Sequence, residues 1–170
     1  MADTHMTKKP KITAVCNGCG RPMGGYEIRI SPLMVNALRK MIRAVRVKGV
    51  NAIHLTKDTK GTDYELSHTE INNITRLRFH GLVAKYYEGT GDDKKRKQGV
   101  WVVTRRAAQF IKGEIQIPET VWIFNDRIIE RSEYHTTMTE VMGSTPYLDT
   151  IEDIRYHEVE KTKDGQMELT

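Results

Sequence analysis

The sequence predicts an α+β fold, because amphipathic helical segments alternate with short apolar strands. Residues 31–47 and 67–80 carry apolar side chains at three- and four-residue spacing, which is the helical period. Residues 83–87 and 100–103 are rich in β-branched and aromatic side chains, which indicates β-strands. Hydrophobic residues make up 38% of the 170, so we expect one core and not two.

The expected organisation follows from where this periodicity begins and fades. Polar residues dominate both ends, and a glycine-rich stretch with two cysteines precedes the first helix. We expect a disordered N-terminus, a CxxC knuckle, one folded domain and an acidic C-terminal extension, at residues 1–15, 16–30, 31–130 and 131–170 respectively. Residues 147–157 are predicted to form a short acidic helix within the extension.

The first predicted helix starts at Ser31-Pro32, where serine can cap the helix and proline suits its first turn. It ends near Lys48-Gly49. Its apolar positions predict one buried face, and Arg39 and Arg43 belong to a cationic stripe on the rest of the surface. The segment 52–56 that follows is interpreted as either a strand or a short helix.

The second helix has the clearest boundaries. Ser67 and Glu70 form a capping box, and Gly81 supplies the residue at which the helix ends. Ile71, Ile74 and other apolar residues define its buried side. The opposite side carries hydrogen-bonding side chains, namely His68, Thr69, Asn72, Asn73, Arg76 and His80.

Behind this helix the sequence predicts a strand, a basic loop and a second strand. The loop, residues 88–99, contains four consecutive cations, Lys94, Lys95, Arg96 and Lys97. A short helix at 105–112 follows, and then a β-hairpin at 121–124 and 128–130 that turns at Asn125-Asp126. A capped helix followed by two strands around a loop is the order of a winged helix, a helix-turn-helix with a β-hairpin wing.

The chain resembles winged helix-turn-helix proteins, and in particular a group of small, mostly uncharacterised bacteriophage proteins. The likeness covers residues 31–130 and is carried by Asn72, Asn73, Arg76-Leu77-Arg78, Gly81-Leu82-Val83, Gly99, Trp101, Thr104, Phe110, Gly113, Pro118 and the hairpin after it. It implies DNA binding by analogy with winged helices generally. Some members of that superfamily bind proteins or RNA instead, or use the domain to dimerise.

The candidate DNA-binding residues lie on the second helix, the wing and the first helix. Asparagine can pair with adenine and arginine with guanine in the major groove, so Asn72, Asn73 and Arg76 are candidates for base contact. His68 and Thr69 lie at the helix start, where main-chain amides attract phosphate. Phosphate contacts without sequence preference are expected from Lys94, Lys95, Arg96, Lys97, Arg39 and Arg43. The alternative for the α2 face is a solvated surface or contact with another subunit, and for the wing it is a solvated flexible loop. The first-helix cations could instead pair with the acidic extension.

The charge distribution supports a polyanion partner for the folded domain. Residues 1–127 contain 23 Lys and Arg against 12 Asp and Glu, whereas residues 128–170 contain 4 against 10. The net charge of +5 therefore combines a basic body with an acidic extension. Ordinary solubility charge is the alternative explanation.

The motif Cys16-Asn-Gly-Cys19 resembles a zinc-ribbon knuckle, because two-residue spacing lets both thiolates bind one metal ion. A structural zinc site needs four ligands. The other two would come from histidines, of which His5 and His54 are conceivable, or from a second chain. A metal-free turn and a redox-active cysteine pair are the alternatives.

The aromatic residues Phe79, Tyr86, Trp101 and Trp122 could stack on the bases of a single strand. Their positions on predicted strands and at a helix end favour core packing instead.

The sequence contains no P-loop, no G-x-S-x-G and no H-E-x-x-H motif, so we expect no enzyme. No apolar run reaches the length of a membrane span, and the N-terminus lacks the features of a signal peptide. The leading hypothesis is a cytoplasmic, phage-encoded transcriptional regulator that binds duplex DNA, with a homodimer as an expected form. The alternative is a protein-interaction module that binds and redirects a host protein, with the acidic extension as its active surface. An RNA- or single-strand-binding accessory protein is a third hypothesis.

Overall fold

The computed structural model describes residues 14–15, 17–18, 22–23, 25–143, 159–161 and 167–169. It has the predicted α+β architecture, with two three-stranded antiparallel sheets and four α-helices in these residues. Cys16, Cys19, His5 and the acidic helix predicted at 147–157 lie outside the described residues.

The N-terminal part of the described chain has three short strands before the first helix. Strands β1 (Ala14–Val15) and β2 (Pro22–Met23) pair with each other, and β3 (Tyr26–Arg29) joins a sheet formed mainly by later residues. Helix α1 (Pro32–Lys48) then begins at the Ser31 cap and ends at Gly49, whose φ of 63° is left-handed. Its core-facing side is fully buried, as the apolar spacing predicts.

Strand β4 (Ala52–His54) follows, so the strand alternative for this segment is confirmed at residues 52–54. A compact turn over residues 55–62 then leads to helix α2 (His68–Arg76). The buried hydroxyl of Thr59 holds this turn closed. It donates to the main-chain oxygen of Leu55 at 2.6 Å and accepts from the amide of Leu66 at 3.3 Å.

The capping box predicted for α2 is present, with Ser67 and Glu70 each accepting the other's main-chain N–H. The last predicted turn differs, because residues Leu77–His80 form a tighter 3-10 helix before Gly81. The tighter turn changes the direction of the side chain at its end. As a result only 3% of His80 is exposed. The prediction that His80 lies on the exposed face is wrong.

The first sheet has the strand order β4-β6-β5, with β5 (Val83–Glu88) and β6 (Lys95–Val103) joined by a loop and a short 3-10 turn. Strand β6 begins five residues earlier than predicted. Lys95, Arg96 and Lys97 consequently lie on the strand and not in a loop, with Lys95 opposite Glu88 and Arg96 opposite Tyr87. Cross-strand pairing of these long side chains extends the hairpin beyond its apolar part.

The β5–β6 pairing contains an irregularity around Gly99. Lys85 is opposite Trp101 and Tyr87 is opposite Arg96, so β6 has more residues than β5 over this span. Gly99 has a left-handed φ of 74°, and its carbonyl accepts the amide of Leu55 at 3.1 Å. The bulge therefore ties the hairpin to the turn that precedes α2.

The second half of the domain starts with helix α3 (Arg105–Ile111), followed by β7 (Ile117–Pro118), β8 (Thr120–Phe124) and β9 (Arg127–Arg131). The predicted β8–β9 hairpin is confirmed. Asn125 and Asp126 form its turn with φ values of 48° and 60°, the conformation that a two-residue hairpin loop requires. Strand β8 also pairs with β3, which gives the second sheet its order β3-β8-β9.

Two elements that the fading periodicity did not predict complete the fold. Strand β10 (His135–Thr136) pairs with β7, and helix α4 (Met138–Met142) lies against α1. Helix α4 has its own capping box, formed by Thr137 and Glu140. Near the C-terminus β11 (Val159–Lys161) and β12 (Met167–Leu169) form a hairpin, and β12 lies close to β5.

One hydrophobic core cluster joins the helices and both sheets of the described chain. Trp101, Trp122 and Phe79 are buried, so the prediction that they pack in the interior is confirmed. Tyr86 is half-buried and packs against a small cluster formed by Ala84 and Val102. No helix in the described residues has the length and apolarity to cross a bilayer.

Candidate nucleic-acid interface

Helix α2 presents a stripe of hydrogen-bonding side chains to solvent. His68, Thr69, Asn72 and Arg76 are exposed, and Asn73 is half-buried. These positions recur at three and four residues, so they share one side of the helix. None of the five side chains has a hydrogen bond or ion pair to another described residue. The stripe therefore offers donors and acceptors that the described fold leaves unused.

The opposite side of α2 fixes the orientation of this stripe. Ile74 is completely buried and Ile71 packs against the core from the edge. Lys40 on α1 contacts Glu70 at 2.7 Å between Nζ and Oε1, and it also donates to the main-chain oxygen of Glu65 at 3.3 Å. Apolar contact on one side and an ion pair at the start of the helix together hold α2 against α1.

Glu70 is the one acid on α2, and its charge is already used. Partial burial would raise the pKa of its carboxyl group. The hydrogen bonds from Lys40 and Ser67 outweigh that effect and hold the pKa below its ordinary value. Glu70 therefore remains ionised at neutral pH, with its charge directed to the helix cap and to Lys40 and away from the polar stripe.

The cations of the wing, residues 88–97, are not equivalent. Lys97 forms an ion pair with Glu88 at 2.8 Å, and this hydrogen bond raises the pKa of the Lys97 ammonium. Arg96 is half-buried, with its guanidinium 5.6 Å from the centre of the Trp101 ring. Lys94 and Lys95 are exposed at the start of β6. The sequence predicts the same role for all four, whereas in the folded wing Lys94, Arg96 and Lys97 each have an interaction within the fold and Lys95 is exposed.

The bulge at Gly99 explains the position of Arg96. Alternate residues of a regular strand face opposite sides, so residues 96 and 101, five apart, would not share a side. The irregular register between Lys85 and Tyr87 places Arg96 over Trp101. This position also buries the Nε of Arg96 without a hydrogen bond among the described residues.

The two candidate cations of the first helix are both engaged within the fold. Arg43 is exposed and forms an ion pair with Asp63, while Arg39 is half-buried and already has an interaction within the fold. A phosphate contact by Arg43 would therefore compete with Asp63. The sequence did not indicate this pairing, because Asp63 lies in an irregular loop.

His54, a conceivable zinc ligand, has a structural position in the turn after β4. Its Nδ1 accepts hydrogen bonds from the amides of Thr56 at 3.3 Å and Lys57 at 3.2 Å. Its main-chain N–H donates to the carboxylate of Asp58 at 2.7 Å. Within the described residues no group of three or more potential metal ligands occurs.

A second basic group, absent from the sequence-based candidates, lies between the 3-10 turn after α2, helix α3 and the second sheet. Arg78, Arg106 and Arg131 line one cavity together with His80 and His135. They come from distant positions on the 3-10 turn, α3, β9 and β10, so no local motif could have indicated them.

Against known proteins, no family model, no curated protein and no solved structure matches this chain.

Proposed function

We propose that the segment from α1 to β6 is a winged helix that binds duplex DNA, with α2 in the major groove and the β5–β6 hairpin against the backbone. The order helix, strand, turn, helix, strand, loop, strand supports this proposal, as does the sheet order β4-β6-β5. The turn over residues 55–62 stands in the place of the helix that precedes the recognition helix. A phage-encoded transcriptional regulator is the role we propose for such a protein.

The observation that carries the proposal is the unused polar stripe on α2. A helix of nine residues is about 14 Å long, which suits a major groove about 12 Å wide. Asn72 and Arg76 are one turn apart and can reach neighbouring base pairs. His68 and Thr69 lie at the amino end of the helix, where amide groups favour a phosphate.

The wing supplies the part of the proposed contact that does not depend on sequence. Lys94 and Lys95 are exposed where the hairpin leaves the sheet, and each phosphate that they neutralise releases counterions. Asp92 and Asp93 lie at the tip, so we place the contact on the β6 side of the loop. Arg96 and Lys97, engaged with Trp101 and Glu88, would contribute less than Lys95.

The test is fluorescence anisotropy of random duplex DNA with the full chain at three salt concentrations. We expect affinity to fall steeply as salt rises, with a slope that reports the number of phosphates contacted. The variant Lys95→Ala should reduce that slope. The control variant Lys112→Ala removes the same charge at the cap of α3, outside the proposed surface, and should leave the slope unchanged. Absence of salt-sensitive binding by the full chain at low salt would refute the proposal.

A second candidate function is binding of a host protein through the acidic extension. The observation that favours it is the position of the β11–β12 hairpin, because β12 lies close to β5, an edge strand of the first sheet. An acidic segment beside the basic hairpin could cover it until a partner displaces it. Tighter DNA binding by a chain that ends at Gly143, which keeps β10 and α4, would support this regulation.

The zinc site at Cys16 and Cys19, the homodimer and the absence of enzymatic activity stay predictions. Metal analysis of the purified full chain, with Cys16→Ser as the comparison, tests the first. Sedimentation with and without DNA tests the second.

A further inference from the structure

A cavity of about 620 Å³ opens between the end of α2, the start of α3 and the second sheet. Every ionisable side chain that lines it is basic, and none of the lining residues is an acid. These are Arg78, His80, Arg106, Arg131 and His135. Pro118 and Ile128 add apolar wall. The size is that of a small-molecule site, and the lining combines cations with apolar surface.

Arg106 is a half-buried cation in a repulsive setting. Burial lowers the pKa of its guanidinium, and the nearby positive charge of Arg131 lowers it further. Arginine nevertheless stays charged at every physiological pH. The fold therefore holds two guanidinium groups close enough to repel, an arrangement that a bound anion would stabilise.

Arg78 has a different role at the rim. It forms an ion pair with Asp126 in the β8–β9 turn, and its guanidinium lies 4.4 Å from the centre of the Phe79 ring. Asp126, which does not line the cavity, therefore neutralises the charge of Arg78. Arg106, whose only hydrogen bond among the described residues is made by Nε, is better placed to hold a ligand. Arg131 has an interaction within the fold and lines the same cavity, where it can also contact a ligand.

His80 provides an independent indication of a polar ligand. Neither ring nitrogen has a hydrogen-bond partner among the described residues, although only 3% of the residue is exposed to solvent. The backbone of Glu119 approaches the ring without reaching hydrogen-bond geometry. Buried polar groups are almost always paired, so an unpaired imidazole in the lining of a cavity suggests that its partner is a ligand.

Arg106 and His80 are also linked directly. The Nε of Arg106 donates to the main-chain oxygen of His80 at 3.2 Å, which leaves the terminal nitrogens of the guanidinium available for other acceptors. A neutral imidazole offers one N–H donor. Two arginines and one imidazole N–H match an oxyanion with several acceptor oxygens.

We propose that this cavity binds the phosphate group of a small phosphorylated molecule, held by Arg106, Arg131 and His80. The apolar surface of Pro118 and Ile128 would accommodate an organic group attached to the phosphate. Inorganic phosphate and a phosphate monoester share the chemistry that the arginines recognise. The site is separate from the polar stripe of α2, so the inference does not depend on DNA binding.

The test is isothermal titration calorimetry of the full chain, without DNA, against adenosine 5′-monophosphate, inorganic phosphate and adenosine. We expect the monophosphate to bind with a Kd below about 1 mM, and adenosine not to bind. Comparable binding of inorganic phosphate would identify the anion itself as the ligand. Stronger binding of the monophosphate would identify the organic group as a contributor.

Two variants locate the binding. Arg131→Gln should weaken phosphate or monophosphate binding at least about tenfold, since it removes a charged hydrogen-bond donor from the cavity. Arg127→Gln makes the same change on the same strand at a residue that does not line the cavity, and should leave binding unchanged. Arg106→Gln, checked for folding by thermal denaturation, should have an effect similar to that of Arg131→Gln.

Equal effects of Arg127→Gln and Arg131→Gln would overturn the proposal, because they would show diffuse attraction to a basic protein. Failure of both phosphate and monophosphate to bind would overturn it as well. Salt-sensitive DNA binding by the same sample would persist in either case, so the two proposals fail separately.

Discussion

The ammonium group of Lys40 lies 2.7 Å from a carboxylate oxygen of Glu70, and this contact joins α1 to the first turn of α2. Glu70 also accepts the amide of Ser67 at 2.8 Å, so one carboxylate caps its own helix and ties it to a neighbour. The direction of α2, and hence of its polar stripe, depends on this carboxylate together with Ile74 beneath it.

Replacing Glu70 by alanine should destabilise the domain by about 1 kcal/mol, because it removes half of a capping box and a partly exposed ion pair. Urea denaturation measures the change. Glu114→Ala is the matched control, since the Glu114 side chain is exposed and has no partner among the described residues. Equal stability of the two variants would show that Glu70 does not hold α2.

Glycine is required at residue 99 for two reasons. Its φ of 74° is left-handed, and a Cβ there would lie 2.5 Å from Nε2 of His54. Two main-chain amides hold that imidazole through Nδ1, so it cannot easily move away. Gly99→Ala should therefore cost about 3 kcal/mol, as a backbone penalty plus a clash.

Gly61→Ala isolates the backbone contribution to this effect. Gly61 has nearly the same φ, 73°, but no atom of the described residues lies within 4 Å of the position that a Cβ would take there. We expect a cost of about 1 kcal/mol for this variant. Similar denaturation midpoints for the Gly61 and Gly99 variants would argue against the clash with His54.

The elements most fully predictable from the sequence are those fixed by local rules. Ser31, Ser67 and Gly81 mark helix ends because capping depends on a few neighbouring residues, and the Asn125-Asp126 turn is equally local. Strand β3 escaped prediction because its pairing with β8 joins residues nearly a hundred positions apart. The sequence of a short segment contains little information about a partner strand that is distant along the chain.

The candidate site divides in the same way. Helical periodicity predicts the exposed stripe of α2, but it does not predict which contacts the individual cations make. Arg43 pairs with Asp63, and Arg96 lies over Trp101 because of a bulge that no sequence rule located. His80 does not lie on the predicted exposed face, because the last turn of the helix is a tighter 3-10 turn. Periodicity cannot distinguish this turn from an α-helical one.

Base recognition and backbone contact should separate by mutation. Arg76→Ala should reduce affinity for a selected DNA site by about 1–3 kcal/mol and affect random DNA less, as expected for a side chain that contacts bases. Lys95→Ala should weaken both DNAs alike. Anisotropy titrations of one selected and one random duplex measure these effects, and Arg127→Ala controls for loss of an arginine. If Arg76→Ala weakened both duplexes equally, α2 would not read sequence in the way proposed.

His80 should make the stability of the domain depend on pH. Burial lowers the pKa of its imidazole from 6.5 to about 4 against an opposing effect of the Glu119 main chain, and the charge of Arg106 adds a smaller lowering. The folded state therefore keeps His80 neutral where the unfolded state binds a proton. Stability is retained above pH 6.5 and is lost as pH falls from 6.5 towards 4, by about 3 kcal/mol in total.

The measurement is urea denaturation of the wild-type chain and His80→Leu from about pH 7.5 to about pH 4.5, a range that covers most of the expected loss. At the upper end the leucine variant should be at least as stable as the wild type, because it removes buried nitrogens that have no partner among the described residues. Its advantage should then grow with falling pH, since leucine cannot bind the proton that favours unfolding. His68→Leu, at an exposed position on α2, provides the comparison for loss of an imidazole. A constant difference between wild type and His80→Leu across this range would show that His80 is protonated equally in the folded and unfolded states, and that burial does not keep it neutral.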